Sequence, residues 1–562
     1  MSVKTYFLYV FILLTCWTVF VSFVILSNVH THQLRSSTRL KPLIPRLSAM
    51  AIASDYSAQD GFSWNIMSSK IGSMGRTSNT SYYKLIGSNN AIYRGDFIHL
   101  MIVAKDNNGS QRRYGGDIWI AKMYNTDFNF GTTGKVIDHN NGTYSVYFYA
   151  GWSGTVTLEI LLALQREAIT WMKTFHRPQE HRVLWIGIFD DGKRIERTTC
   201  YIQREGLWEN KCEYPHISAL GDTTFLCDPP KYSHCGNLSI LTRKRDIKGQ
   251  DYLKDKKKHE FLFKQPNAMV QIPGTISKIK IIDRDTGQSD YDTFAVPNCR
   301  PNLPETLSDG YWLDGHWYSL TCKNSQWSNP SDVQRCLHGK DVYFIGDSTT
   351  RELFQIMIEY IGYPVNVTEG NWRDIVDPIE GIYDVRGTEE LNYVWTLYDI
   401  PHDINLTFRH HALTFHHEIP ILRFPFETDV IHRMQRPACD YVVLVSLWAH
   451  FTGWTLDSYT DRLHSIKRAL EHLRHRCPDT IILIKGSHDR GEQNKYSQYW
   501  LLFDMIRIMK EVFSDTNVHF IDTWDMNTAY AASFGSKMKL HMPIRAVKQE
   551  LEYILSHICP EK

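Results

Sequence analysis

From about residue 300 onward, strand-length apolar runs alternate with helical patterns, and few architectures accommodate that alternation. Residues 341–345, 404–408, 441–445, 480–484 and 518–521 are rich in Val, Ile, Leu and Phe and read as strands. Between them, Glu352, Leu353, Phe354, Ile356 and Met357 carry a helical period, as do Tyr459, Leu463, Ile466, Leu470 and Leu473. Another helix is expected around 499–509, and a terminal one through Val547, Leu551, Ile554 and Ile558. Strands this apolar are covered on both faces, so the expectation is a three-layer α/β domain with a mostly parallel sheet. Ligands of such sheets sit outside the carboxyl ends of the strands.

Ser348 stands at such an end. The strand 341–345 runs into Gly346, Asp347 and Ser348, and a helix starts at once. A serine there meets the free N–H groups and the positive dipole end of the helix, which favour an oxyanion. That position suits a nucleophile of acyl transfer, and it equally suits an ordinary N-cap.

The rest of the chain sets the compartment. At 562 residues, two or three domains are expected. A formal net charge of +1 gives no reason to expect a nucleic-acid partner. Residues 6–26 form an uncharged apolar run long enough to span a bilayer. We read residues 1–28 as a signal-anchor or a signal peptide, and the chain as a single-pass type II Golgi membrane protein or a secreted one. Asn79, Asn108, Asn141, Asn237, Asn366 and Asn405 each head an N-glycosylation triplet beyond that run. Ten cysteines also follow it: Cys200, Cys212, Cys227, Cys235, Cys299, Cys322, Cys336, Cys439, Cys477 and Cys559. An even number in a lumenal chain points to disulfides, with those of 200–235 paired locally; no zinc-ligand pattern stands out.

Residues 29–74 read as a stem. From 75 to 200, short alternating runs separated by Asn-Gly turns predict a β-sandwich, with Tyr144, Val146 and Phe148 on one face. Residues 201–299 hold four close cysteines and a basic stretch from Arg243 to Lys258. That stretch is a solvated loop, a processing site or a dock for acidic glycans.

Two patterns carry a family resemblance. Gly134, Val136, Asp138, Asn141, Gly142, Thr143 and Tyr144 are spaced as in filamin-type immunoglobulin-like repeats. Gly310, Tyr311, Trp312, Trp317, Cys322 and Cys336 precede Gly346-Asp347-Ser348 and Arg351, and a Ser-Leu-Trp-Ala-His-Phe-Thr run fills 446–452. This half resembles the PC-esterase group of SGNH/GDSL-type serine acyl enzymes. Together with the anchor and sandwich, the chain resembles the NXPE family (neurexophilin and PC-esterase domain family). The resemblance implies an α/β PC-esterase-like domain over 300–562, with Ser348 as nucleophile and His541 as base. Relatives commonly place an acid a few residues before that histidine. Here Met538 occupies the position three before it, so Asp522 and Asp525 are the candidates for the orienting acid. His411 and His450 are candidate oxyanion donors or sheet-edge packing residues. His488 is a substrate-side alternative, and Arg351 pairs with a sugar carboxylate or with a protein acid.

The function implied is glycan O-acetyl transfer, with sialic acid among the substrates, through an acyl-serine intermediate. No bound cofactor is expected, and acetyl-CoA is the candidate acyl donor. The alternatives are a carbohydrate O-acetylesterase, which uses the same machinery, and a non-catalytic neurexophilin-like ligand that binds a cell-surface protein through the sandwich.

Overall fold

The structure is a computed structural model. It describes residues 80–87, 91–106, 108–173, 185–204, 209–243, 260–264, 267–283, 296–364, 394–413, 425–490 and 499–561. The expected anchor, the stem, Asn79, Asn366 and most of the basic stretch lie outside these residues. Among the described residues, no helix is long and apolar enough to cross a membrane.

The C-terminal half is built on a six-stranded sheet. In spatial order its strands are Val394–Asp399, Ile404–His410, Asp341–Gly346, Tyr441–Ser446, Ile481–Lys485 and His519–Ile521. All are parallel except the first, which pairs antiparallel at one edge. Successive side chains point to opposite faces, and here both faces are core. Val342, Phe344, Val442, Leu444 and Leu483 pack on one side with the helices Ser348–Tyr360 and Ile544–Ile558. Ile345, Val443, Val445, Ile482 and Ile484 pack on the other with Leu456–Arg476 and Tyr499–Val512. The strand Asp341–Gly346 has Ile404–His410 on one side and Tyr441–Ser446 on the other. It therefore ends at a topological switch point, where ligands bind in open α/β sheets.

The N-terminal half is built on a mostly antiparallel sandwich. Tyr144, Val146 and Phe148 are fully buried in its core beside Leu100, Ile102, Leu158 and Ile160. Its limits differ from the expected 75–200 and 201–299. Trp185–Asp190 and Ile195–Gln203 belong to a separate five-stranded sheet with Cys212–Pro215, Thr224–Cys227 and Leu238–Arg243. Lys278–Ile282 returns to the sandwich, and Gly310–Leu313 pairs with the sandwich strand Phe130–Asp138. Cross-strand pairing decides this: Cys200 lies opposite Cys227, so a cut at 200 would divide one ladder. The sandwich also packs tightly on the C-terminal half. A Cβ on Gly131 would lie 2.2 Å from Ser533 Oγ on the helix Trp524–Ser533.

The ten cysteines of the described residues all pair: Cys200–Cys227, Cys212–Cys235, Cys299–Cys322, Cys336–Cys559 and Cys439–Cys477. The four of 200–235 pair locally. Cys336–Cys559 ties the helix Pro330–Leu337 to the end of the C-terminal helix. Of the described sequons, Asn108 and Asn141 are exposed, Asn237 is half-buried, and Asn405 is half-buried within a paired strand.

One buried ion pair braces the active edge of the sheet. Arg462, fully buried, meets the Glu427 carboxylate at 2.8 Å and is boxed by Phe426, Phe451 and Trp454. Glu427 accepts from the Ala412 N–H at 2.7 Å, and Arg462 donates to the Ala412 carbonyl at 3.1 Å. Arg462→Met leaves Glu427 buried without its counter-charge. Denaturant unfolding is expected to show a loss of about 3–5 kcal/mol, whereas Glu427→Met added to it recovers part of that loss. An unchanged midpoint for Arg462→Met would remove the brace from the account.

Candidate active site

The turn after Asp341–Gly346 depends on close contacts. A Cβ on Gly346 would lie 2.5 Å from the Ser446 carbonyl and 2.2 Å from Thr350 Oγ1, so only glycine fits between the strand ends. Asp347, fully buried, caps the helix by accepting from the Thr349 N–H at 2.9 Å and the Thr349 hydroxyl at 2.6 Å. Its other oxygen accepts from the Ala449 N–H at 3.1 Å, pinning the loop after the neighbouring strand. With Asp347 as cap, Ser348 is the first helical residue and its hydroxyl serves elsewhere.

That hydroxyl faces His541. Ser348 Oγ is 3.4 Å from His541 Nε2, slightly longer than a good hydrogen bond and close enough to tighten into one. On the far side of the ring, His541 Nδ1 donates to Glu352 Oε1. Glu352 lies four residues after Ser348 on the same helix, and that spacing stacks the two on one face. Its side chain is 3% exposed and that of His541 is 39% exposed. Burial pushes the Glu352 carboxyl up to about 7, against the pull of the His541 ring. Burial alone would lower His541, but the hydrogen bond and charge of Glu352 outweigh it and leave the ring raised.

The acid that meets His541 is therefore Glu352, which corrects the choice between Asp522 and Asp525. Asp522 lies 3.1 Å from Lys510 Nζ and accepts from the Trp524 N–H. Asp525 sits in the first turn of the next helix, Trp524–Ser533. Both line a cavity of about 390 Å³ shared with the sandwich residues Trp119 and Thr133. Burial, with Asp309 and Asp522 adding to it, holds the Asp525 carboxyl well above the usual range. The helix Trp524–Ser533 leads the chain away from the last strand before it returns at His541, so nearness in sequence misleads. Glu352 had a signal of its own: a carboxylate four residues after the serine, next to the apolar run Leu353-Phe354 of the same helix.

The other candidates separate by access. His411 is 1% exposed; its Nδ1 donates to the Ala412 carbonyl at 2.9 Å and its Nε2 is 2.7 Å from His450 Nδ1. It backs His450, which is half-buried at the start of the short turn His450–Gly453. The Arg351 guanidinium lies 5.8 Å from the centre of the Trp395 ring. His488, 2% exposed, donates from Nε2 to the Leu540 carbonyl at 2.9 Å and packs edge-on to Trp448. Burial lowers its pKa to about 4. Buried and bonded to the Leu540 carbonyl, His488 tethers the segment that carries His541. For His488→Ala we expect kcat to fall on the order of 10²-fold through misplacement of His541, with KM little changed. Wild-type kinetics in that variant would dismiss the tether.

A serine, a histidine and a buried carboxylate thus meet at the switch point of a mostly parallel sheet, in a chain whose other half is a β-sandwich beside a disulfide-pinned sheet. That describes a protein with a Ser–His–Glu cluster on an α/β domain, joined to a β-sandwich. Residues 317–559 match the family model described as NXPE family member 4-like, C-terminal domain, and residues 63–247 match neurexophilin. The chain belongs to the NXPE family.

Proposed function

We propose that this protein is a serine acyl-transfer enzyme of SGNH type, which moves acetyl groups onto glycan hydroxyls, those of sialic acids included, in the secretory pathway. The observation that carries the reading is the chain of contacts Ser348 Oγ, His541 Nε2, His541 Nδ1, Glu352. The hydrogen bond to the Glu352 side-chain carboxylate fixes the tautomer: Nδ1 holds the proton, so Nε2 presents a lone pair to the serine.

In the first half-reaction Ser348 Oγ attacks the acyl carbonyl carbon while its proton passes to His541 Nε2. The resulting oxyanion sits at the helix N-terminus, where the Ser348 N–H is the nearest donor, the Thr349 N–H being held by Asp347. Collapse expels the leaving group, a thiolate if the donor is acetyl-CoA, which takes the proton from His541. In the second half-reaction a sugar hydroxyl attacks the acyl-serine, gives its proton to His541, and leaves as the acetyl ester; the proton returns to Ser348. Water in place of the sugar would give hydrolysis.

The full chain should be incubated with acetyl-CoA and a sialylated acceptor, and the glycan weighed by mass spectrometry. An acetylated acceptor, absent with Ser348→Ala, is the expected result. Release of acetate from a pre-acetylated glycan without transfer would replace the transferase with an esterase. Neither product, together with a cell-surface protein captured by the full chain, would favour the neurexophilin-like ligand.

A further inference from the structure

His410, His411 and His450 converge beside the serine turn. His410 ends the strand Ile404–His410 in register with Gly346, and the His411 N–H donates to the Gly346 carbonyl at 2.9 Å. His450 follows Ala449, the residue held by Asp347. Each ring offers one nitrogen, and the three nitrogens lie within 4.8 Å of one another.

Two of the tautomers are settled by hydrogen bonding. His410 Nδ1 is 3.1 Å from the His411 carbonyl, and His411 Nδ1 is 2.9 Å from the Ala412 carbonyl. A carbonyl only accepts, so both Nδ1 atoms carry the proton and both neutral rings have their lone pair on Nε2. An imidazole whose other N–H is anchored on a backbone carbonyl is oriented as metal-binding histidines are. The anchor is itself held, since Ala412 is clamped by Glu427 and Arg462. Burial reinforces neutrality: His410 and His411 are 8% and 1% exposed.

The His411–His450 spacing is close to that of two nitrogens on one cation. Without a metal, His450 Nδ1 donates to the His411 Nε2 lone pair at 2.7 Å, and coordination through both nitrogens moves that proton to His450 Nε2. Two nitrogens on one tetrahedral zinc stand about 3.3 Å apart, given bonds of about 2.0–2.1 Å. His450 is the half-buried member, on a short turn, and it supplies the difference. The local field is mixed, because Asp347 favours positive charge near these rings whereas Arg351 and Arg462 oppose it. A cation held here is held by coordination bonds to nitrogen, which excludes calcium and magnesium and selects zinc and its neighbours.

We propose that His410, His411 and His450 form a binding site for one transition-metal dication, zinc foremost, with a fourth position for water or a substrate oxygen. The site stands on the histidine geometry alone. Its use as an electrophile toward the acyl oxygen rests on the acyl-transfer reading.

The test uses the full chain stripped with chelator and titrated with Co²⁺, read by the visible ligand-field bands, with zinc content measured separately on untreated protein. One Co²⁺ per chain, displaced by Zn²⁺, is expected. His450→Ala and His450→Gln should each weaken Co²⁺ binding by about 100-fold or more, beyond the usual effect of removing an outer-shell partner. His432→Ala, at an exposed histidine outside the cluster, should bind Co²⁺ as wild type does. Thermal unfolding of the stripped variants checks that they fold. Absence of stoichiometric Co²⁺ binding, or binding unchanged in both His450 variants, overturns the site and leaves the histidines as a hydrogen-bonded packing cluster. Labelling of Ser348 by a fluorophosphonate is read on the same samples. Its failure would count against the acyl enzyme and not against the metal.

Discussion

Ser348→Ala and His541→Ala should each abolish acyl transfer, with kcat falling on the order of 10⁶-fold, and the double variant should be little worse than either. The non-additivity follows from the geometry. Ser348 is weakly nucleophilic unless His541 Nε2, 3.4 Å away, takes its proton, and His541 has no task without the hydroxyl. Removing one partner therefore removes what the other contributes. Both side chains are half-buried at the surface of the sheet edge, so neither change opens a core cavity. Unfolding midpoints near that of wild type should accompany the loss. Additive losses in the double variant would mean that the two residues act separately.

Glu352→Gln should reduce kcat by about 10⁴-fold, while Asp522→Asn and Asp525→Asn should leave it within a few-fold of wild type. The carboxylate holds the imidazole with its proton on Nδ1 and stabilises the imidazolium that forms when Ser348 is deprotonated. An amide of the same shape can present its NH₂ to Nδ1 and favour the wrong tautomer. The pH profile gives an independent sign. Burial lowers the pKa of His541, and Glu352 more than offsets this, leaving it raised. The base must be neutral to act, so wild-type activity is lost as pH falls through that raised value. In Glu352→Gln the opposing effect of burial remains, and the acidic limb of the residual activity should move to lower pH. Because Glu352 itself titrates near 7, the wild-type limb belongs to the pair and not to one residue. An acidic limb that stays in place in Glu352→Gln, or a large loss in Asp522→Asn, would return the third position to the aspartates.

The parallel strands were legible because a strand buried on both faces is a short, nearly unbroken apolar run, and five such runs lie between helical periods. The sixth strand, Val394–Asp399, escapes that reading. It lies at the edge, with alternating burial that leaves Tyr398 exposed, and Pro401 follows close by. The limits of the sandwich were illegible for another reason. Which strands share a sheet depends on partners far apart in sequence, such as Lys278–Ile282 against Gly154–Leu164. At the site, Ser348 follows from a local signal, a strand ending in glycine before a helix, and His541 rested on family resemblance. Glu352 needed the helix to be seen as a surface: one turn from the serine, it is apolar in its surroundings and acidic in its chemistry. Asp522 and Asp525 looked closer only because sequence distance ignores the helix Trp524–Ser533, which turns them toward the sandwich.

The most direct measurement is capture of the acyl enzyme. The full chain is mixed with acetyl-CoA or an activated acetyl ester, quenched in acid within the first turnover, digested and mapped by mass spectrometry. One acetyl group on the peptide containing Ser348 is expected, its yield rising in the first turnover and falling once a sugar acceptor is added. The same adduct should be missing in Ser348→Ala and should form far more slowly in His541→Ala. Turnover of the donor with acetyl found on another residue, or with no covalent adduct at any time before steady state, would contradict the account.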